Sequence, residues 1–123
     1  MYSVRMPKEP IFIVIGKVQE GRKQGRVLGF PTANLFCPPS VPPGIYAGEA
    51  AWGNKVYPAA LYKENKKDII EAHLLDFSGE LYGELLTLAA YKKVREPAVF
   101  KSNEELIAAI SDDIKKIREC LRG

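Results

Sequence analysis

The chain has 123 residues, 46% of them hydrophobic, and its 18 basic and 15 acidic side chains give a formal net charge of +3. This length fits one globular domain over residues 1–123 and leaves no room for a second catalytic domain. The basic residues are spread along the chain, which argues against general nucleic-acid binding and favours a local anionic ligand. Cys37 and Cys120 lack a CxxC partner, so two reduced thiols are expected rather than a metal site or a disulfide.

The apolar run from Ile11 to Ile15 is too short for a signal-peptide core and far too short to span a bilayer. It is therefore interpreted as the first buried strand. No other stretch is long and apolar enough for a membrane segment, so a cytoplasmic protein without a membrane partner is expected. A monomer is expected as well, although nothing in the sequence determines the oligomeric state.

Strand-forming segments separated by glycine and proline predict six strands before the chain changes period. Gly53-Asn54 is a two-residue connection typical of a tight hairpin, and a second turn is expected around Ser78-Gly79-Glu80. Prolines between residues 38 and 43 exclude regular strand pairing there. The predicted strands cover residues 11–18, 32–36, 44–52, 55–63, 68–76 and 83–95. They predict a mainly β fold, a small closed antiparallel Greek-key-like barrel over about residues 11–95.

The C-terminal segment has a helical period, because its apolar residues recur every three or four positions. Those residues are Leu106, Ile110, Ile114, Ile117 and Leu121. Ser102 and Glu105 form a capping-box pattern at the start of a helix predicted over about residues 103–121. We expect this helix to pack its apolar stripe on the barrel and to leave its charged residues in water. The charged residues of that solvated face are Asp112, Asp113, Lys115 and Lys116.

Four glycines recur between the first two predicted strands, interleaved with basic residues. The glycines are Gly16, Gly21, Gly25 and Gly29, and the basic residues are Lys17, Arg22, Lys23 and Arg26. Such a loop lets the backbone approach phosphates while cations offset their charge. It is not a Walker A loop, because no Gly-Lys-Ser/Thr tripeptide opens a helix. The alternative is that these glycines serve only to make turns.

Thr32 and Asn34 follow Pro31 with an extended spacing, which would send the hydroxyl and the carboxamide to one side. Both groups are hard oxygen donors of the kind that Mg²⁺ takes alongside substrate phosphates. The alternative is local, with the two side chains satisfying backbone groups nearby.

A second polar pair lies on the fifth predicted strand, where Glu71, His73 and Leu75 share one face. A carboxylate and the single histidine of the sequence therefore point the same way. Without other information, a cross-strand polar pair at the barrel surface is the alternative. A metal site is disfavoured, because no further ligands occur at a known spacing. Alternation alone does not tell which face of this strand is the interior.

The segment from Gly16 to Leu35, which contains Gly-Phe-Pro-Thr-Ala-Asn at residues 29–34, strongly resembles the riboflavin kinase family. Further matches occur along the chain in the family's order. They are Glu71 and His73, Leu74-Leu75-Asp76-Phe77, Leu81-Tyr82-Gly83, Arg95-Glu96, Phe100, Ser102 and Glu104-Glu105-Leu106. The resemblance thus covers about Gly16 to the end, as in the kinase domain at the C-terminus of bacterial bifunctional riboflavin kinase/FAD synthetases.

The resemblance implies transfer of the γ-phosphoryl group of ATP to the 5′-hydroxyl of riboflavin, giving FMN and ADP, with Mg²⁺ or another divalent cation. It implies that Glu71 orients the hydroxyl and accepts its proton, while Thr32 and Asn34 hold the metal. The implied nucleotide-binding residues are Gly16, Lys17, Gly21, Gly25, Arg26, Gly29, Pro31, Thr32, Asn34, His73 and Tyr82. The implied flavin-binding residues are Arg95, Phe100 and Ser102.

The chain departs from the family's pattern in two ways. Where the family usually carries a Gly-x-x-Pro-Thr-Phe-like loop, this chain has Ala-Ala-Leu-Tyr-Lys-Glu-Asn-Lys-Lys at residues 59–67. The closure of the site and the preferred nucleotide are therefore left open. No adenylyltransferase domain precedes the kinase region, so FMN is the expected product and a separate FMN adenylyltransferase would act downstream, unless the chain is a fragment.

Two other functions compete with the kinase interpretation. The first is a catalytically weak or inactive module that senses a flavin or a nucleotide on the same barrel. The second is a barrel that binds single-stranded nucleic acid through aromatic stacking. The candidate stacking residues are Tyr46, Trp52, Tyr57 and Tyr62.

Overall fold

The computed structural model describes residues 9–20, 29–65 and 67–122, with side chains described up to residue 120. The strands in this part of the chain are β1 (Phe12–Lys17), β2 (Ala33–Phe36), β3 (Gly44–Trp52), β4 (Lys55–Lys63), β5 (Ile69–Leu74) and β6 (Leu85–Arg95), and the helix is α1 (Asn103–Arg122). All six predicted strands and the predicted helix are confirmed. The bounds of β3 and β4 coincide with the predicted ones, and the other strands are slightly shorter than predicted.

The six strands form one antiparallel sheet in the order β1-β6-β3-β4-β5-β2. Because β1 pairs with β6 and β2 pairs with β5, the chain does not follow a simple up-and-down path. The two edges of the sheet meet where the Gln19 N–H donates to the Asn34 carbonyl at 2.8 Å. The small antiparallel barrel predicted from the strand pattern is confirmed, and it is nearly closed.

Glycines form both of the predicted turns. Trp52 pairs directly with Lys55, so Gly53-Asn54 is a two-residue hairpin connection as predicted. Gly53 has a φ of 61°, in the left-handed region that such a hairpin turn requires. Gly79, in the turn before β6, has a φ of 141° that also favours glycine.

The barrel interior is filled by side chains from alternate positions of the strands. The larger ones include Val14, Leu35, Leu61, Ile70, Leu86 and Leu88. Ile11, Ile13 and Ile15 lie outside, with exposures of 57%, 54% and 63%. The interpretation of this run as a buried strand is therefore wrong for these three positions, because one face of β1 points away from the core.

Helix α1 packs on the outer face of the barrel and buries part of its apolar stripe there. Ile117 is fully buried in a second hydrophobic cluster with Ala47, Ala60 and Leu75. Small residues on the two strands let the helix approach the sheet closely. Among the described residues, no helix combines the length and the apolar character needed to cross a membrane.

The start of α1 is capped as the sequence predicts. The Ser102 hydroxyl accepts a hydrogen bond from the Glu105 N–H at 3.2 Å. The Glu105 carboxylate reaches back to the Lys101 N–H at 3.0 Å. The return bond of a standard capping box goes to the cap residue itself, and here it is moved by one residue.

The expectation that Asp113 faces water is wrong, since its side chain is only 1% exposed. Asp113 lies four residues before Ile117, so both side chains belong to the face of α1 that packs on the barrel. Its neighbour Asp112 is exposed and pairs with Lys116 at 3.0 Å, as expected of a solvated helix face.

A polar contact ties the far end of α1 to the turn after β5. Arg118 donates two hydrogen bonds, at 2.9 and 3.0 Å, to the Asp76 carboxylate. These bonds hold the pKa of Asp76 below its ordinary value. Asp76 has a φ of 59°, a conformation that aspartate tolerates better than most residues. The helix is thus held to the barrel by charged pairs as well as by apolar packing.

Gly48 is the position in β3 where an added side chain is least tolerable. A Cβ there would collide with the Ala89 carbonyl oxygen and lie 2.7 Å from Cδ1 of Leu61. We expect Gly48→Ala to lower the free energy of unfolding by about 2–3 kcal/mol, because a paired strand cannot move aside. Urea unfolding measures this change.

Gly16→Ala is the matched control, since its Cβ would meet Leu35 at an ordinary 3.9 Å. Both changes replace a strand glycine by alanine, so intrinsic backbone preferences largely cancel in the comparison. Equal unfolding midpoints for the two variants would contradict the crowding at Gly48.

Candidate active site

The strand register places a row of side chains across the outer face of the barrel. Asn34 pairs with Glu71, Glu71 with Tyr62, Tyr62 with Ile45, and Ile45 with Arg95. Direct cross-strand partners point to the same side of a sheet. These five residues therefore lie side by side on the face that α1 covers, while Ile70 and Ala72 of β5 point into the core.

Thr32 completes a compact polar cluster at one end of this row. Its hydroxyl donates to Oε1 of Glu71 at 3.2 Å. Thr32 immediately precedes β2, and Asn34 lies in β2 directly opposite Glu71, so both residues are neighbours of Glu71. The sequence predicted Thr32 and Asn34 as one group and Glu71 as another, and the pairing of β2 with β5 brings the two groups together.

The oxygen donors of Thr32 and Asn34 fit a hard divalent cation. Oδ1 of Asn34 is buried and has no hydrogen-bond partner among the described residues. A buried carbonyl oxygen without a partner is costly unless something binds it. Within the described residues, no group of three or more His, Cys, Asp or Glu side chains could hold a metal. The two neutral oxygen donors are of the kind that Mg²⁺ takes, since it uses few protein ligands beside substrate phosphates.

Two cavities meet at Thr32, which lines both. The first, of about 290 Å³, lies beside the turn before β6 and includes Pro31, Glu80 and Tyr82 in its wall. The second, of about 480 Å³, lies between the outer face of the barrel and the start of α1. Its wall includes Phe30, Ile45, Tyr62, Glu71, Arg95, Val99, Phe100, Leu106 and Ile110. Thr32 thus lies where the two cavities meet, and Glu71 lies beside it in the wall of the second.

Arg95 contacts several residues that form or support one wall of the second cavity. Its Nε and Nη2 donate to the two oxygens of Asp113 at 2.7 and 2.8 Å. Its Nη1 donates to the Glu96 carbonyl at 3.1 Å, and its guanidinium lies 5.6 Å from the centre of the Phe100 ring. The hydrogen bonds to Asp113 raise the pKa of Arg95, which stays charged. Arg95 therefore links the end of β6, the segment that follows it and α1.

Sequence reasoning missed Asp113 as a partner of Arg95. The available signal was its position four residues before Ile117, on the apolar stripe of α1. A carboxylate within an apolar stripe is buried only if a cation pairs with it. The identity of that cation depends on the packing of α1 against β6, which the sequence pattern does not specify.

His73 contacts the two residues that precede Thr32, and it lines neither cavity. Its Nδ1 lies 2.8 Å from the Pro31 carbonyl oxygen. Its ring also makes an edge contact with Phe30, with centroids 5.8 Å apart. These contacts hold the segment before Thr32 against β5.

Of the other implied nucleotide-binding residues, Pro31 and Tyr82 belong to the first cavity. Pro31 lines it, and Tyr82 lies on its rim with 62% of its surface exposed. Gly29, two residues before Pro31, has a φ of 92°, a conformation that favours glycine. Gly16 and Lys17 end β1 outside both cavity walls. Gly21, Gly25 and Arg26 lie outside the described residues.

Two of the three implied flavin-binding residues line the second cavity, and the third caps α1. Arg95 and Phe100 line the second cavity. Ser102 caps α1 through its hydroxyl and is not part of that wall. Its place is therefore explained by helix capping.

A family model described as riboflavin kinase, or flavokinase, matches residues 9–121. The chain belongs to the riboflavin kinase family. It is 37% identical over 117 residues to the bifunctional riboflavin kinase/FMN adenylyltransferase of Bacillus subtilis, and 35% identical over 117 residues to that of Escherichia coli K12. These matches cover 85% and 88% of this chain but only 37% of each relative's length.

Solved structures with the same fold include a riboflavin kinase. The riboflavin kinase of Trypanosoma brucei superimposes with a TM-score of 0.69 at 22% identity, over 94% of this chain and 82% of that chain. A chain described as a macrolide-efflux protein from Streptococcus pneumoniae gives a TM-score of 0.75 at 24% identity, over 89% of this chain and 38% of that one. At these identities the similarity concerns the fold alone. The resemblance to the riboflavin kinase family stated from the sequence is confirmed by the family model.

The pair of Arg95 and Asp113 should contribute measurably to stability. Asp113→Asn removes the carboxylate charge and replaces one of the two acceptors of Arg95, whose side chain is 23% exposed, by an amide donor. We expect a loss of about 2–3 kcal/mol in the free energy of unfolding, below the values for fully buried pairs. Urea unfolding measures it.

Asp112→Asn is the adjacent control, because its pair with Lys116 is exposed and worth only about 0.3–0.5 kcal/mol. If the two variants were equally stable, the pair of Arg95 and Asp113 would not support the cavity wall.

Proposed function

We propose that this chain is a riboflavin kinase, which transfers the γ-phosphoryl group of ATP to the 5′-hydroxyl of riboflavin to give FMN and ADP. Membership of the family supports this activity. The observation that carries it is the position of Thr32, which lines both cavities while its hydroxyl is bonded to Glu71. A reaction between two substrates needs such a junction, where one substrate from each cavity can meet.

The first cavity is the proposed nucleotide side. Its wall contains Pro31 and Thr32, and Tyr82 lies at its rim where a base can stack. His73 contributes indirectly, by holding Pro31 in place through its ring nitrogen. The glycine loop with Gly21, Gly25 and Arg26, together with Gly16, Lys17 and Gly29, is assigned to the phosphates on the resemblance.

Thr32 and Asn34 are the proposed protein ligands of Mg²⁺ or another divalent cation. When bound, the cation neutralises phosphate charge during the transfer. The Thr32 hydroxyl can serve both partners, because its hydrogen is given to Glu71 while its oxygen lone pairs stay available. Asn34 offers the buried Oδ1 that has no partner among the described residues.

Glu71 is the proposed catalytic residue. It lines the second cavity beside Thr32 and is positioned by that hydroxyl. A carboxylate is a weak base toward an alcohol, so its contribution lies in alignment and in taking the proton as the new P–O bond forms. The proton moves from the 5′-hydroxyl oxygen of riboflavin to a Glu71 carboxylate oxygen.

The second cavity is the proposed flavin side. The isoalloxazine ring is flat and largely apolar, and it needs apolar walls with a few polar groups. Phe100, Leu106 and Ile110 supply such walls, and Glu71 lies at the end that meets the nucleotide side. Arg95 shapes this wall through its pair with Asp113, so its proposed role toward the flavin is mainly one of positioning.

The product FMN is proposed to be the substrate of an adenylyl transfer that a different domain or protein carries out. The relatives are named as bifunctional riboflavin kinase/FMN adenylyltransferases, and this chain matches about a third of their length. The cytoplasmic location and the monomeric state stay expectations from the sequence.

The purified protein should form FMN from riboflavin, Mg²⁺ and ATP, followed by chromatography, with GTP and CTP tested as other donors. Thr32→Ala and Glu71→Gln are each expected to lower kcat at least 100-fold, because one removes a metal ligand and the other the base. Glu71→Gln should still bind riboflavin, since it keeps the shape of the side chain.

Turnover of Glu71→Gln at the wild-type rate would remove Glu71 from the mechanism. If no donor yields FMN while the wild-type protein still binds riboflavin or nucleotide, the sensor function replaces the kinase. Asp112→Asn, on the exposed face of α1, is the control that should leave turnover unchanged.

A further inference from the structure

Tyr62 carries a polar group that the proposed mechanism does not use. Its side chain lines the second cavity, and its register places it directly opposite Glu71 on the neighbouring strand. Its hydroxyl is buried and makes no hydrogen bond within the described residues. A buried hydroxyl without a partner destabilises the free protein, so such groups are rare unless a ligand uses them.

The charged groups near Tyr62 make no hydrogen bond with its hydroxyl. Asp113, Arg95 and Glu71 all influence it electrostatically. Both carboxylate oxygens of Asp113 accept hydrogen bonds from Arg95, and Oε1 of Glu71 accepts one from Thr32. Arg95 offers only donors, and those described are directed at Asp113 and at the Glu96 carbonyl. The Tyr62 hydroxyl thus has no partner among the described residues, and a ligand in the second cavity, which Tyr62 lines, would supply one.

The hydroxyl is held in its neutral, donating form. Burial raises the pKa of Tyr62, and the negative charge of Asp113 raises it further. The neutral hydroxyl therefore favours a hydrogen-bond acceptor as its partner over a cation.

Tyr62 also lies in the segment 59–67, where the chain departs from the family's usual loop. Its contribution would thus add a residue of this segment to the metal ligands and base that the resemblance implies.

We propose that Tyr62 is a flavin-binding residue, whose hydroxyl donates a hydrogen bond to an acceptor oxygen of riboflavin in the second cavity. This inference rests on the proposed flavin side of the function. The acceptor is an oxygen of the ribityl chain or a carbonyl of the ring, since both classes of oxygen fit a neutral phenol donor. Tyr62 thereby positions the substrate next to Glu71 without touching the nucleotide.

The test is Tyr62→Phe, which removes the hydroxyl and keeps the ring. Riboflavin is titrated against the protein without nucleotide, by the quenching of flavin fluorescence. We expect the Kd for riboflavin to rise about 5- to 10-fold, the effect of one lost hydrogen bond. The thermal midpoint should stay the same or rise, because an unpartnered buried hydroxyl has been removed.

Tyr46→Phe is the matched control. Tyr46 is buried in the barrel core, and its hydroxyl donates to the Pro42 carbonyl at 2.6 Å. Its removal should lower the thermal midpoint and leave riboflavin binding unchanged. The two variants are therefore expected to show opposite patterns of stability and affinity.

Lumiflavin, which has the ring without the ribityl chain, identifies the acceptor. A loss of affinity for both flavins in Tyr62→Phe supports a ring carbonyl, and a loss for riboflavin alone supports the ribityl chain. Unchanged riboflavin affinity overturns the proposal, as does a lowered midpoint with full affinity, which would make the hydroxyl structural.

The binding readout separates this inference from the kinase proposal. A wild-type protein that binds riboflavin and forms no FMN would refute the kinase activity and leave the role of Tyr62 to be decided by the titration. A wild-type protein that binds neither flavin would overturn both.

Discussion

The arrangement of the site depends on the register between β2, β5 and β4. Asn34, Glu71 and Tyr62 are direct cross-strand partners, so they lie side by side on one face. A slip of one residue in β5 would turn Glu71 into the core and bring Ile70 or Ala72 to the surface, since side chains alternate with a period of two. The burial of those two apolar residues therefore holds the register that assembles the polar cluster.

Because side chains alternate, the inner and outer faces of the sheet have different roles. The inner face forms the hydrophobic core, and the outer face carries the row from Asn34 to Arg95. Helix α1 covers only part of that outer face, through Ile117 and the small residues Ala47 and Ala60. The remaining gap is the second cavity, and the pair of Arg95 and Asp113 holds its far wall. The stability of the barrel and the shape of the second cavity thus both depend on how α1 packs on this face.

Much of the architecture was predictable because it depends on local patterns. Strand alternation, the Gly53-Asn54 turn and the helical period of residues 103–121 are visible in short windows of sequence. The cluster of Thr32 and Asn34 was predictable for the same reason, since their spacing is local. The hydrogen bond between Thr32 and Glu71 was not predicted, because residues 39 positions apart are brought together only by strand pairing.

By itself the sequence determined the strands, the helix, the candidate ligands and the family, since each is written in local spacing or in an ordered set of motifs. The tertiary structure alone decided that Asp113 is buried against Arg95, that Ile11, Ile13 and Ile15 face outward, and that the Tyr62 hydroxyl is buried unpartnered within the described residues. The physical reason is shared by all three. The environment of a side chain depends on which distant element packs against it, and the closing of the barrel and the seating of α1 make that choice.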